Sequence, residues 1–350
     1  MSHEKIRAVA MLSGGLDSSL AVKIVADQGI DVIGVNYNTG FCLTDHRRKM
    51  VGLGAEIDPK SVRNEALRAG AQWRIPVEII DISKEYMRIL TNPRYGYGKN
   101  VNPCIDCRIF MQQKTLEFMD TVGARFIITG EVVGQRPMSQ MRQSLLLIEM
   151  RSGAKGKVLR PLSAKLLEPT LAEIEGWVDR EKLYDFKGRS RKPQMELAKK
   201  IGLADYPQPA GGCCFLTDPN YARRMQDLFD HQEKKTLTTE QVLLLKVGRH
   251  FRIADRSKAI VGRNEAENLL LQSQARDSLR LNCADVVGPL TLLEGEHGDR
   301  PVDTAARLTA RYGDGRDRES VQVIVQTPGG AERKITVKPM DEQVCARMRI

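Results

Sequence analysis

The sequence predicts an α/β protein: a parallel sheet with helices on both faces, followed by a smaller mixed α+β unit. Three observations predict it. Short apolar runs alternate with helix-spaced segments from Ile6 to Thr129, the order that builds parallel strands joined by helical crossovers. The pattern changes beyond Arg160-Pro161-Leu162. Near the end, Thr327-Pro328-Gly329-Gly330 separates two strand-like runs, Val321–Gln326 and Arg333–Val337, and reads as a hairpin.

Each element follows from its spacing. Ile6–Leu12 is a short apolar strand ending at Ser13-Gly14-Gly15, and Ser18–Gln28 is a helix with Leu20, Ala21, Ile24 and Val25 on one face. Asp31–Tyr37 is a second strand, Arg63–Trp73 a helix and Val77–Asp81 a third strand. Cys107–Val122 has helical spacing, and Arg125–Thr129 is a fourth strand. Three long segments, Thr39–Lys60, Thr91–Pro103 and Gly130–Gln143, read as irregular loops, and such loops in a compact domain carry function. Beyond them Glu168–Lys182 and Pro193–Ile201 read as helices, Asp205–Asp218 as a Pro/Gly/Cys loop and Lys235–Thr238 as a linker. Leu243–Ile253 and Val286–Leu293 read as strands, with a helix at Glu265–Gln274. The expected domains are residues 1–165, an extension at 166–234, and a C-terminal module at 235–350.

Composition narrows the function classes. A chain of 350 residues suits two or three domains, and 41% hydrophobic with 28% charged residues excludes a largely disordered protein. No apolar run reaches the roughly 20 residues of a membrane span, and no signal peptide is legible, so a cytoplasmic protein is expected. Seven cysteines, an odd number, argue for thiol or metal chemistry rather than a disulfide scaffold. Lys+Arg exceed Asp+Glu by 54 to 44, a net charge of +10, which favours a polyanionic partner such as nucleic acid. The excess is local. Lys187, Arg189, Arg191 and Lys192 form one cluster, and Lys246, Arg249, Arg252, Arg256, Lys258 and Arg263 another.

Ser13-Gly14-Gly15-Leu16-Asp17-Ser18-Ser19 sits between the first strand and the first helix. Its glycines allow close backbone approach, and the helix N-terminus aims free N–H groups at the loop. Asp17 suits either Mg²⁺ or a helix cap. The spacing is not that of a Walker loop. The segment resembles the signature of the PP-loop ATP pyrophosphatases, over roughly residues 6–165. That resemblance implies a five-stranded parallel sheet of the HUP (Rossmann-like) type. It implies cleavage of ATP between the α and β phosphates to adenylate a carbonyl or amide oxygen. Ser13, Gly14, Gly15, Asp17, Ser18 and Ser19 would hold the phosphates and Mg²⁺, Asn36 would line the adenine pocket, and Gly130 would follow the fourth strand. Glu131 stands where thiolating relatives often carry His.

Cys104-Ile105-Asp106-Cys107 opens a helix, and Cys213-Cys214 lies in a Gly-rich loop. Thiolates are favoured at a helix N-terminus. Asn102-Pro103-Cys104-Ile105-Asp106-Cys107 is similar to the Asn-Pro-Asp-x-x-Cys stretch of tRNA 2-thiouridylases, which puts Cys107 at the catalytic position and Cys104 in place of Asp. The CxxC plus a distant cysteine also resembles the iron–sulfur-dependent thiolases, which implies a 4Fe–4S cluster on Cys104, Cys107 and one of Cys213 and Cys214, with Cys213 favoured because glycines precede it. The alternative is a persulfide relay through Cys107 and Cys213 without a cluster. Cys42, Cys283 and Cys345 are isolated and read as structural.

Basic and apolar residues alternate from Lys246 to Arg252 and again from Lys258 to Arg263, which on strands would set the basic side chains on one face. Gly262-Arg263-Asn264-Glu265-Ala266-Glu267-Asn268 resembles the RNA-binding domain of the NFACT proteins, over about residues 240–345. Taken together, the resemblances imply an ATP-dependent tRNA thiouridine synthetase, with 4-thiouridine favoured over 2-thiouridine. The expected catalytic residues are Cys107, Cys213 and Asp17. Lys187, Arg189, Arg191, Lys192, Arg249, Arg252, Arg263 and Asn264 are the expected RNA contacts, and Arg136 and Arg160 suit phosphate neutralisation. The partners are tRNA and a sulfur donor, either inorganic sulfide or a cysteine desulfurase-derived persulfide. A homodimer is compatible with the sequence. Adenylation of a small molecule and a non-catalytic RNA-binding factor are the competing readings.

Overall fold

The computed structural model describes residues 5–207, 214–275 and 277–350. The chain divides into two compact units, Met1–Cys42 with Arg63–Cys213 and Leu43–Val62 with Cys214–Ile350. These differ from the boundaries expected from sequence. The segment 166–234 is shared between the units, and 43–62 belongs with the C-terminal residues.

Unit 1 runs β1 (Arg7–Met11), α1 (Leu16–Ala26) and β2 (Asp31–Asn38); the chain then passes through α2 (Leu43–Gly52) of unit 2. It continues with α3 (Glu65–Trp73), β3 (Val77–Asp81), α4 (Ser83–Thr91), α5 (Cys104–Val122), β4 (Phe126–Thr129), α6 (Arg142–Ser152), β5 (Val158–Leu159), α7 (Leu171–Ile174) and α8 (Lys192–Lys200). The five strands lie in the order β3-β2-β1-β4-β5 and pair in parallel throughout. The order reverses direction at β1, so β1 and β4 open a crevice at their carboxyl ends, where ligands bind in doubly wound sheets. One face buries Ala8, Ala10, Phe126 and Ile128 against α1 and α3. The other buries Val9, Val35 and Ile127 against Met119 of α5. Strands buried on both faces explain the unbroken apolar runs. The expected helix at Glu168–Lys182 is only the single turn α7, closed by a capping box between Thr170 and Glu173 and broken by Gly176 at φ +67°.

Unit 2 contains α2, then α9 (Pro219–His231), α10 (Thr239–Leu244), β6 (Arg249–Ala254), β7 (Ser257–Val261), α11 (Glu265–Gln274), β8 (Leu279–Cys283), β9 (Thr291–Gly295), α12 (Asp299–Arg311), β10 (Val321–Gln326), β11 (Glu332–Val337) and α13 (Glu342–Met348). Its six strands are antiparallel, in the order β11-β10-β8-β9-β7-β6. One face packs on Val302, Ala305, Ala306 and Leu308 of α12. On the other, Ile260 and Leu292 pack with Leu270 and Leu271 of α11 and Met50 of α2. The expected strand from Leu243 starts only at Arg249, because Leu243 and Leu244 close α10 and Gly248 turns the chain at φ +74°. Likewise the strand expected at Val286–Leu293 begins at Thr291.

Candidate nucleotide and thiol site

The loop after β1 is shaped by its neighbours. Gly14 holds φ +75°, and a Cβ on it would lie 2.0 Å from the carbonyl carbon of Glu65, so only glycine lets α3 close on the loop. A Cβ on Gly130 would lie 2.4 Å from the Ser18 nitrogen; the end of β4 therefore rests on the first turn of α1. Gly15 is the cap residue of α1, and no side chain caps that terminus, leaving the first-turn N–H groups facing the crevice. Ser13 and Ser18 hydroxyls stand 3.1 Å apart, and Ser18 also donates to the Gly15 carbonyl. Asn36 donates to the Leu12 carbonyl at 2.9 Å and ties the end of β2 to that of β1.

Asp17 is not a cap. Its Oδ2 accepts from Gln135 Nε2 at 3.0 Å and stands 3.8 Å from an Arg191 guanidinium nitrogen. Burial pushes its carboxyl up, against the Gln135 hydrogen bond and the charges of Arg191 and Arg136. Asp17 Oδ1, Ser19 Oγ and Gln135 Oε1 are buried without a hydrogen-bond partner among the described residues. Buried polar atoms are normally satisfied, so these three, beside an uncapped helix terminus, fit a phosphate chain and a hard cation such as Mg²⁺.

The thiols lie at the start of α5. Asp106 accepts from the backbone N–H groups of Arg94 and Tyr95, 3.0 Å each, and so pins the Thr91–Pro103 loop to this helix. A Cβ on Gly98 would lie 3.1 Å from Cys104 Sγ and 2.9 Å from Met138 Sδ, so a loop from each side reaches Cys104. Cys107 Sγ stands 4.0 Å from Met111 Sδ. Burial pushes the Cys104 thiol up, opposed by the charges of Arg108 and Arg136. Arg136 thus acts on both Asp17 and Cys104. The loop after β4, which supplies Gln135, Arg136 and Met138, brings the phosphate loop and the CxxC to one place. Gln135, Arg108 and Met138 carry no motif and are not legible in the sequence.

Cys213 lies outside the described residues. Among the described residues no group of three or more His, Cys, Asp or Glu side chains is arranged to hold a metal ion. Cys104 and Cys107 alone do not make the expected three-cysteine cluster, and no step is derived through one.

Arg160 corrects an expectation. It is 2% exposed and forms ion pairs with Glu131, at 3.0 Å, and with Glu149. It is therefore committed to the fold rather than to phosphate. Glu131, 3% exposed, also has Arg108 at 3.7 Å. Burial opposes its charge, but Arg160 and Arg108 outweigh it and hold the carboxyl below its usual range.

Lys187, Arg189 and Lys192 are exposed, whereas Arg191 is sunk to 27%. In unit 2 the expected basic face is largely engaged within the fold. Every residue of β7 is buried, and Lys258 pairs with Glu294 at 3.3 Å. Arg252 grips Asp227 through two nitrogens, at 3.0 and 2.5 Å. Arg249 lies over the Tyr312 ring at 4.7 Å, and Arg263 pairs with Glu267. Asn264 accepts from Glu267 N–H at 3.0 Å and caps α11. His250 is fully buried and donates to the Val247 carbonyl at 2.8 Å.

Residues 6–168 match the tRNA methyl transferase HUP domain, and residues 248–348 match the NFACT protein RNA binding domain. The parallel sheet of unit 1 lies within the first match and the sheet of unit 2 within the second. The tRNA-specific 2-thiouridylase MnmA of Pediococcus pentosaceus is 25% identical over 251 residues, covering 68% of this chain and 59% of that protein. The enzyme of the same name from Streptococcus pyogenes serotype M1 is 27% identical over 249 residues, with 68% and 60% covered. The chain spans about three fifths of the length of these curated relatives. Among solved structures, a 4-thiouridine synthetase–RNA complex with bound ATP matches at TM-score 0.36 and 20% identity, over 56% of this chain and 41% of that one. No helix among the described residues is long and apolar enough to cross a membrane.

Proposed function

We propose that this chain thiolates tRNA at the expense of ATP, making a thiouridine. The observation that supports this most is the convergence of an unsatisfied phosphate loop and a helix-terminal CxxC on the loop after β4, whose Gln135 donates to Asp17 at 3.0 Å and whose Met138 Sδ meets Cys104 Sγ around Gly98. ATP supplies the adenylyl group that turns a uridine carbonyl oxygen into a leaving group. The base oxygen attacks the α phosphorus, the bond to the β-phosphate oxygen breaks, and pyrophosphate leaves with that electron pair. Hydrosulfide-class sulfur then adds to the base carbon, the carbon–oxygen bond breaks, and AMP leaves.

The chain's own residues orient and neutralise. N–H groups of the α1 first turn and Ser19 bind the phosphates, and Asp17 Oδ1 offers the oxygen that Mg²⁺ takes. The charge of Arg136 acts on both Asp17 and Cys104, and so favours negative charge that develops on the departing groups. Cys107 presents sulfur at the N-terminus of α5, with Cys104 one turn before it. Whether the sulfur arrives as a Cys107 persulfide completed by Cys213, or as hydrosulfide on a cluster, is decided by the same experiment. The NFACT-type unit binds the tRNA.

The experiment is anaerobic. The protein is reconstituted with iron and sulfide, or left iron-free with a persulfide donor, and given Mg-ATP and unmodified tRNA. The digested nucleosides are weighed by mass spectrometry. A thiouridine peak that Cys107→Ala removes is the expected result, and its retention time separates the 2- and 4-isomers. AMP formation without any thiolated nucleoside would overturn the reading in favour of small-molecule adenylation.

A further inference from the structure

The four basic residues between Lys187 and Lys192 look alike in sequence and differ in placement. The backbone at Gly188 donates to the Val133 carbonyl at 2.8 Å, and Lys187 bridges Val133 in parallel. Ser163 Oγ locks the same pair of segments, accepting from Val133 N–H at 3.0 Å and donating to the Phe186 carbonyl at 2.6 Å. On the far side, α8 begins immediately after Arg191, and its Leu197 and Ala198 pack on Leu16 and Leu20 of α1. Arg191 is therefore held at both ends over the first turn of α1, while Lys187, Arg189 and Lys192 stay exposed.

Its guanidinium faces Asp17, but at 3.8 Å the contact is Coulombic and too long for a hydrogen bond. The Asp17 Oδ2 lone pairs already receive Gln135, and the five Arg191 donors have no hydrogen-bond partner among the described residues. Around them stand the uncapped N-terminus of α1, the unsatisfied and fully buried Ser19 hydroxyl, and the charge of Arg136. A planar fork of donors over an anion cradle matches a phosphate chain.

We propose that Arg191 is a ligand of the nucleotide's β and γ phosphates, and that the segment after the HUP domain thereby completes the ATP site. In the adenylation step it neutralises the charge that grows on pyrophosphate as the α–β bond breaks. This rests on the ATP-dependent reading above. It also divides the basic cluster, leaving only Lys187, Arg189 and Lys192 as the part that faces RNA.

The test is calorimetric binding of a non-hydrolysable α,β-methylene ATP analogue with Mg²⁺, and of AMP, to the full chain. Arg191→Ala, Arg191→Lys and the exposed Lys200→Ala are compared, with melting temperatures and tRNA affinity measured alongside. Arg191→Ala is expected to weaken the ATP analogue about tenfold or more. AMP and tRNA affinity should hold within about twofold. Arg191→Lys should restore part of the loss, and Lys200→Ala should change nothing. Equal loss for ATP and AMP, or a loss of tRNA affinity with ATP binding intact, overturns the proposal. So does an unchanged ATP affinity. If the wild-type chain itself fails to bind the analogue, it is the ATP reading that falls.

Discussion

Replacing Arg160 with Met tests the buried charge cluster behind the nucleotide loop. The guanidinium is 2% exposed and stands between Glu131 and Glu149, which are 3% and 8% exposed. Met keeps an unbranched apolar stem but removes the guanidinium and its charge. Among the described residues Glu131 would then keep only Arg108, at 3.7 Å and on one side, and Glu149 would lose its ion pair with Arg160. Removing one partner of a buried ion pair costs about 3–5 kcal/mol, because the other charge stays desolvated. The pH dependence carries the sign. In the wild type the Glu131 carboxyl lies below its usual range: burial opposes ionisation, and Arg160 with Arg108 outweighs it. A depressed carboxyl adds stability above its unfolded value and loses it as pH falls through the folded one. In the variant burial prevails and the carboxyl rises, so protonation relieves the strain as pH falls. The stability gap between the two proteins should be widest near pH 7.5 and narrow towards pH 5. Both tryptophans, Trp73 and Trp177, lie in unit 1, so urea unfolding followed by tryptophan emission reads that unit alone. A gap below about 1 kcal/mol at pH 7.5, or one that widens on acidification, would refute the reasoning.

Two further predictions separate neighbouring residues. Gly14→Ala should lose nucleotide binding and about 2 kcal/mol or more of stability, since its Cβ would strike the Glu65 backbone at 2.0 Å. Gly15→Ala, whose nearest contact is 3.5 Å away, should keep both; equal behaviour of the two in thermal shift with ATP would contradict the packing argument. In unit 2, His46 meets the Phe215 ring edge-on at 5.1 Å. Burial, then the charges of Lys246, Arg263 and Lys49, pull its imidazole down to about 4 against the pull of Glu267. The unfolded chain therefore takes up a proton that the folded one refuses, and stability falls between pH 6.5 and 4. After allowance for partial exposure, the loss is about 1–2 kcal/mol. Hydrogen exchange of α2 should quicken across that window in the wild type and much less in His46→Phe.

The first unit was largely legible because its strands are buried on both faces. Asp31–Tyr37 and Val77–Asp81 are strands within a residue of their expected ends, and the CxxC opens its helix as expected. The failures have physical causes. Thr39–Lys60 reads as a loop because α2 buries only Met50 and otherwise presents polar residues. The expected basic face of β6 and β7 fails because periodicity cannot distinguish a solvated lysine from one paired inside, as Lys258 is with Glu294. In sequence Arg191 reads like its basic neighbours, and it is the Val133–Gly188 pairing with the packing of α8 on α1 that brings it over α1.

The two motifs that carried the family resemblances differ in what their polar atoms do. In Gly262-Arg263-Asn264-Glu265-Ala266-Glu267-Asn268 they are engaged inside the fold. Asn264 caps α11. Glu267 receives the N–H groups of Gly248 and Arg263 as well as the Arg263 guanidinium. Asn268 Oδ1 accepts from Leu290 N–H and sits where a Cβ on Gly262 would be, 2.0 Å away. This motif locks a strand to a helix, and its specificity in sequence is that of a scaffold. In Ser13-Gly14-Gly15-Leu16-Asp17-Ser18-Ser19 the geometry is as tightly packed, yet Asp17 Oδ1 and Ser19 Oγ remain buried and unsatisfied. Buried polar atoms are normally satisfied, and these two lie beside the uncapped terminus of α1, where a ligand would complete them. That contrast directs the search for RNA contacts in unit 2 away from Asn264 and towards exposed basic side chains outside the motif, such as Lys334 on β11.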